Sequence, residues 1–164
     1  MTNPPGCPRG QPVPPERGQT VRMIGFMPHG IQITFDAADP PALAEFWALA
    51  LGYVLQPPPP GFDSWEAFAE ANDTADSIND YGSVIDPEGV GPRLFFQKVP
   101  EPKTAKNRVH LDVHASGEHA DPELREAHIQ RLVDAGATRG AEYSEFGSTW
   151  VVMADPEGNE FCVS

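Results

Sequence analysis

Apolar and polar residues alternate over Gly30–Asp36, near the start of the first regular segment of the chain. A period of two residues predicts a half-buried β-strand. Asp39 and Pro40 then suit the N-cap and first position of a helix. The apolar residues that follow recur at helical spacing and predict an amphipathic helix: Leu43, Phe46, Trp47, Ala50 and Leu51. Gly52 suits the end of this helix, and a short strand is expected after it.

The second half of the chain repeats this order of signals. Arg108–His114 alternates again, and Asp121 with Pro122 again opens a predicted helix that Gly136 ends. The apolar residues of this second helix are Leu124, Ala127, Ile129, Leu132 and Val133.

Each half also carries the turn sequence Asp-Pro-Glu-Gly between two predicted strands, at 86–89 and at 155–158. Asp and Pro favour the first two positions of a type I turn, and Gly supplies the positive φ that closes it. Two such turns, each after a capped helix, indicate an internal duplication of a βαβββ unit. The predicted fold class is therefore α+β, built from two tandem βαβββ modules.

The prolines help to divide the chain. Residues 1–28 are rich in Pro and Gly without apolar periodicity, so we expect a disordered tail there. The domain is expected over 29–164, with module one at 29–100 and module two at 107–164. Within module one, Pro57–Pro60 predicts a stiff connection that leads into an insertion over 61–81.

The insertion contains the pattern of a short helix. Asp63 with Glu66 resembles a capping box ahead of the aromatic residues Trp65 and Phe68. Two interpretations stay open. The insertion packs its aromatic side chains onto the sheet edge or a partner subunit, or it forms a wall of a ligand pocket.

The net charge of −13 and a pI of about 4.6 argue against unaided binding to nucleic acid or to an anionic membrane surface. From Met23 to Pro92 there is no Lys or Arg. This acidic stretch is interpreted either as a solvated face or as a field that attracts cationic ligands. Cys7 and Cys162 make no disulfide framework, and no stretch has the pattern of a signal or membrane segment, so a cytoplasmic protein is expected.

On several segments the chain resembles the vicinal oxygen chelate superfamily, also called the glyoxalase/bleomycin-resistance/dioxygenase superfamily, and within it the actinobacterial glyoxalase-like subfamily. The segments are Ile31–Asp39, Glu45–Trp47, Leu51–Tyr53, Arg108–Val113, Leu132–Ala137 and Asp155–Cys162. The resemblance implies two βαβββ modules that form a curved mixed sheet with a concave cleft. It also implies a homodimer.

In metal-dependent members of this superfamily, the first and fourth strands of each module supply the metal ligands. The resemblance carries these positions to Gln32, Gln97 and His110, and to Glu160 or Cys162. A divalent Zn, Ni or Mn ion prefers imidazole and carboxylate ligands, and the two amides are weaker donors. The incomplete ligand set favours a site without a catalytic metal, and it disfavours an extradiol dioxygenase.

The predicted ligand-binding residues share the polar faces of these strands: Gln32, Phe95, Gln97, His110, Asp112 and Cys162. His110 is the candidate catalytic residue, as a general base, and orienting a ligand is its alternative role. Cys162 is interpreted as a small buried residue, with a nucleophile as the alternative. His29, His119 and His128 are expected in loops or on helix surfaces.

The resemblance and these residues predict a protein that binds a small organic molecule in its cleft. Two alternatives stay open: a metal-dependent lyase or isomerase of glyoxalase type, and a drug-sequestering protein of bleomycin-resistance type.

Overall fold

The computed structural model describes residues 29–116 and 121–164, so the expected tail over 1–28 and His119 lie outside the described residues. The first half contains β1 (Gln32–Ala37), α1 (Pro40–Leu51), β2 (Val54–Leu55), α2 (Trp65–Ala71), a 3-10 helix (Ala75–Asp80), β3 (Tyr81–Ile85) and β4 (Arg93–Lys98). The second half contains β5 (Asp112–Val113), α3 (Pro122–Asp134), β6 (Thr138–Glu145), β7 (Ser148–Ala154) and β8 (Glu160–Val163).

The strands form two four-stranded mixed sheets with the same topology. Their orders are β1-β4-β3-β2 and β5-β8-β7-β6. The first strand of each sheet pairs in parallel with the last strand of its half, and the other pairings are antiparallel. The predicted α+β class with two βαβββ units is therefore confirmed.

Helix α1 begins and ends where its sequence signals lie. The Asp39 side chain accepts a hydrogen bond from the backbone N–H of Ala42 at 3.2 Å. Gly52 adopts a left-handed conformation, with φ of 69°, at the C-terminal end. The apolar stripe of the helix is buried, and Trp47 is 1% exposed.

A single hydrophobic core joins the two halves. Helix α1 packs on β3 and β4 of the first sheet. The rings of Phe46 and Trp47 also contact Phe161 of β8, at centroid distances of 6.0 and 5.2 Å. The buried residues of both sheets therefore form one continuous cluster around α1.

The second Asp-Pro-Glu-Gly turn locks the halves together through hydrogen bonds. Asp155 is 3% exposed and accepts a hydrogen bond from the indole N–H of Trp47 at 3.1 Å. The Glu157 carboxylate accepts hydrogen bonds from the backbone N–H groups of Ala38 and Asp39, both at 2.8 Å. A carboxylate at these N–H groups satisfies donors that a helix start leaves free.

Two sequence expectations differ from the structure. The strand expected over Arg108–His114 is reduced to Asp112–Val113, because its ladder partner β8 pairs with these two residues only. His128 was expected on a helix surface, but it is buried against the end of α1. Its Nε2 donates to the carbonyl of Ala50 at 3.0 Å and its Nδ1 accepts from Arg131. Burial lowers the His128 pKa, and the bond to Ala50 opposes this shift.

No helix within the described ranges 29–116 and 121–164 is long and apolar enough to cross a membrane.

Candidate functional site

The first half of the chain contains a cavity of about 650 Å³ between its sheet and the insertion. The walls come from the first turns of α1, from β3 and β4, and from α2 and the 3-10 helix of the insertion. A volume of this size, with mainly apolar walls and few polar groups, is typical of small-molecule sites.

The alternation of β4 places Arg93 in this cavity. Leu94 and Phe96 of the strand are buried against α1, so Arg93, Phe95 and Gln97 lie on the opposite face of the sheet. Arg93 and Phe95 line the cavity, whereas Gln97 does not.

Two neutral amides hold the Arg93 guanidinium. Its Nε donates to Oε1 of Gln56 at 2.6 Å, and its Nη1 donates to Oε1 of Gln32. Gln56 Oε1 also accepts a hydrogen bond from the Ser83 hydroxyl at 3.0 Å. Half-burial lowers the pKa of Arg93. No carboxylate in the described part of the chain forms an ion pair with it.

Aromatic rings surround this cation. The guanidinium lies 4.9 Å above the ring centroid of Phe95, within the range of a cation–π contact. Phe95 is in turn stacked on Tyr81 at 5.8 Å, with an interplanar angle of 16°. Both rings line the cavity.

The insertion supplies the opposite aromatic wall. Trp65 and Phe68 of α2 line the cavity and meet edge to face at 5.7 Å. The Trp65 indole N–H donates to the carbonyl of Gln56 at 2.8 Å, so the same residue anchors both the insertion and Arg93.

The predicted short helix in the insertion is present, but its cap differs from the expected one. Ser64, rather than Asp63, is the N-cap residue, and its hydroxyl accepts a hydrogen bond from the N–H of Ala67 at 3.1 Å. Glu66 therefore lies in the first turn of α2.

Among the residues predicted from the sequence, Phe95 lines the cavity. Gln32 does not line it but accepts a hydrogen bond from Arg93, which does. Gln97 donates to Asp36 at 2.9 Å instead. Gln32 and Gln97 are thus each bonded to a protein partner on their own sheet.

The predicted residues of the second half lie around β5 and β8. His110 is exposed, and its Nε2 lies 3.0 Å from the carbonyl of Asn107, so Nε2 carries the proton. Asp112 lies opposite Cys162 in the parallel ladder. Burial, and then the Asp112 charge, raise the pKa of Cys162 to about 11.

The Glu160 carboxylate is bonded to the segment that joins the two halves. Its Oε2 accepts from the N–H of Asn107 and from the ammonium group of Lys103, both at 3.0 Å. These two contacts lower the Glu160 pKa to about 2.

The donor set expected for a divalent metal does not fit one in this arrangement. The Gln32 oxygen faces the Arg93 cation, and the Glu160 carboxylate pairs with Lys103. A metal at either oxygen would replace these hydrogen bonds and be repelled by the adjacent positive charge. Within residues 29–116 and 121–164, no group of three or more His, Cys, Asp or Glu side chains is placed to hold a metal ion.

Four residues that shape the cavity are not among the ligand-binding residues predicted from the sequence: Gln56, Trp65, Tyr81 and Arg93. Arg93 had a detectable signal. It is the first basic residue after the stretch Met23–Pro92, and it shares its strand face with Phe95.

Comparison with known proteins identifies the family of this fold. The model of the glyoxalase-like domain matches residues 32–164. The chain belongs to the glyoxalase-like domain family. The glyoxalase-like family that the resemblance implied is therefore confirmed, whereas its actinobacterial subfamily stays a prediction.

Three solved structures illustrate this similarity. The fosfomycin resistance protein FosX from Mesorhizobium loti is 9% identical, with a TM-score of 0.53, and the match covers 84% of this chain and 91% of that one. A glyoxalase-related enzyme from Fulvimarina pelagi is 18% identical, with a TM-score of 0.51, over 84% and 87% of the two chains. A possible glyoxalase from Bacillus cereus is 16% identical, with a TM-score of 0.51, over 82% and 96%. At these identities the likeness of this glyoxalase-like domain to them is one of fold. No curated protein matches the chain by sequence.

Proposed function

We propose that this glyoxalase-like domain binds a small organic molecule in the cavity between the first sheet and the insertion. The observation that carries the proposal is the cavity itself, which has aromatic walls and one half-buried guanidinium held by neutral amides. Few converging polar groups in an apolar cavity give a ligand both burial and orientation.

This proposal moves the site away from the centre that the resemblance implies. His110 is exposed and Gln97 lies outside the cavity, whereas Phe95 and the Gln32–Arg93 pair belong to it. The insertion takes part as a wall, which is the second of its two interpretations.

A glyoxalase-type lyase or isomerase is the less favoured function, because its expected metal donors are bonded to other groups here. A drug-sequestering role is compatible with the same cavity, and no separate contact favours it. The homodimer and the cytoplasmic location stay predictions, which sedimentation analysis and cell fractionation test.

The binding function is tested with the neutral aromatic probe 1-anilinonaphthalene. We expect probe fluorescence to rise on binding and to be excited by energy transfer from Trp65, which lines the cavity. Ser77→Trp places a large ring at a residue that lines the cavity, and we expect it to weaken probe affinity at least about tenfold.

Asn79→Trp is the matched control, because Asn79 is exposed on the same 3-10 helix and does not line the cavity. Its probe affinity should equal that of the unmodified protein. Equal weakening by both substitutions, or binding that survives Ser77→Trp, would count against this cavity as the site.

A further inference from the structure

The chemistry around Arg93 specifies the charge of the ligand. A guanidinium has five N–H donors, and within the described part of the chain two of them are bonded, to Gln56 and Gln32. The partners are neutral amides, so they orient the group without cancelling its charge. A half-buried cation of this kind is stabilised when a carboxylate or a similar anion pairs with it.

The carboxylates near the cavity limit how much negative charge a ligand can carry. Glu45 and Glu66 line the cavity with exposed side chains, and neither forms an ion pair with Arg93. The protein as a whole carries a net charge of −13. Repulsion from these groups disfavours a ligand with several phosphates, whereas a single anionic group directed at Arg93 keeps its partner.

The rings beside Arg93 specify the shape of the rest of the ligand. The rings of Phe95 and Tyr81 are nearly parallel in their stack, and Trp65 lines the same cavity from the insertion. Aromatic rings prefer offset-stacked or edge-to-face neighbours, which a flat aromatic ligand offers over a larger area than an aliphatic chain does.

We propose that the cavity takes a planar aromatic monocarboxylate, whose carboxylate pairs with Arg93 while its ring lies against Phe95, Tyr81 and Trp65. This inference rests on the proposed function, since it names the class of ligand for the same cavity. The charge of the ligand is inferred from Arg93, which pairs with no carboxylate in the described part of the chain, and its shape is inferred from the aromatic walls.

The test compares two probes of nearly the same shape, the anion 2-naphthoate and its neutral analogue 2-naphthamide. Affinities are measured by titration calorimetry near neutral pH with the full chain. We expect naphthoate to bind at least about tenfold more tightly than naphthamide, as a single desolvated charge-assisted contact requires. Arg93→Gln should remove this preference, so that the two probes bind with nearly equal affinity.

Two further variants separate the contact from general effects. Arg93→Lys keeps the charge without the planar fork, so a partial preference should remain. Arg108→Gln removes one positive charge at an exposed residue away from the cavity, and the full preference should remain.

The outcomes distinguish the two proposals. Three results would overturn the proposal of an aromatic carboxylate ligand. They are equal affinity for both probes in the unmodified protein, a preference that survives Arg93→Gln, and no naphthoate binding. If naphthamide still binds in such a case and Ser77→Trp blocks it, the cavity remains the site and only the ligand class is wrong. If Ser77→Trp leaves the binding of both probes intact, the cavity is not the binding site.

Discussion

At the scale of single residues, the environment of a side chain decides its chemistry. Cys162 is half-buried on β8 and lies opposite the Asp112 carboxylate, and both features disfavour the thiolate. A pKa of about 11 keeps this thiol protonated near neutral pH. The thiolate is the reactive form of cysteine, so this environment favours the interpretation of Cys162 as a small buried side chain.

The reactivity of Cys162 gives a direct prediction. In a Cys7→Ser background, we expect iodoacetamide at about pH 8.5 to alkylate Cys162 at least about tenfold more slowly than glutathione. The rate should keep rising with pH until the thiol ionises near its pKa of about 11. Mass spectrometry measures the rates.

Asp112→Asn provides the control for this prediction. Removing the neighbouring negative charge should lower the Cys162 pKa and speed alkylation. Fast alkylation that reaches a plateau below about pH 9 would instead support the interpretation of Cys162 as a nucleophile.

At the scale of elements, the two Asp-Pro-Glu-Gly turns show one local sequence in two roles. Asp155 is buried and accepts four hydrogen bonds, two on each carboxylate oxygen, including one from Trp47 on α1. Burial raises the Asp155 pKa, and these donors oppose the rise. Asp86 accepts backbone N–H groups of its own turn, and these hydrogen bonds lower its pKa.

Asp155→Asn is therefore expected to destabilise the fold. Whichever way the new amide is turned, its NH₂ group faces two N–H donors that lose their acceptor. We expect the free energy of unfolding to fall by about 1–3 kcal/mol, the cost of buried donors left without a partner. Urea denaturation measures it.

The repeat supplies the matched control, Asp86→Asn. Its amide oxygen can still accept from Val90 and Gly91, and the remaining donor, Glu88, belongs to an exposed residue. The loss should be clearly smaller than for Asp155→Asn. Equal losses of unfolding free energy would mean that the contact of Asp155 with Trp47 adds no stability beyond that of the turn itself.

At the scale of the whole molecule, the two halves share one core. Phe161 comes from the second sheet, yet it packs on Phe46 and Trp47 of the helix from the first half. Because this cluster is continuous, the halves should unfold together rather than one after the other.

Phe161→Ala tests this shared core. Phe161 is 1% exposed, so its truncation should lower the free energy of unfolding by about 3–5 kcal/mol. Circular dichroism of the whole chain and fluorescence of Trp47, isolated by Trp65→Phe and Trp150→Phe, should report the same single transition.

Phe146→Ala is the control of the same residue type, because Phe146 is 88% exposed. Its effect should stay within about 0.5 kcal/mol. Separate transitions for the two probes would show that the halves unfold independently.

The local elements of this protein follow from patterns within its sequence. The caps of α1, its apolar stripe and the paired turns depend on neighbouring residues, so they predict the duplicated βαβββ units. The sequence could also place Gln32 and Phe95 on the outer faces of their strands, because strand alternation is local.

Which polar groups come together depends on the packing of distant segments. Arg93 is held by Gln56 and Gln32, which lie 37 and 61 residues away along the chain, and Glu160 is held by Lys103 and Asn107. His128 is buried because the end of α1 packs against it. Such pairings depend on how separate elements pack, and no periodicity within one segment encodes them. The cavity and the guanidinium that its two amides orient therefore appear only in the folded chain.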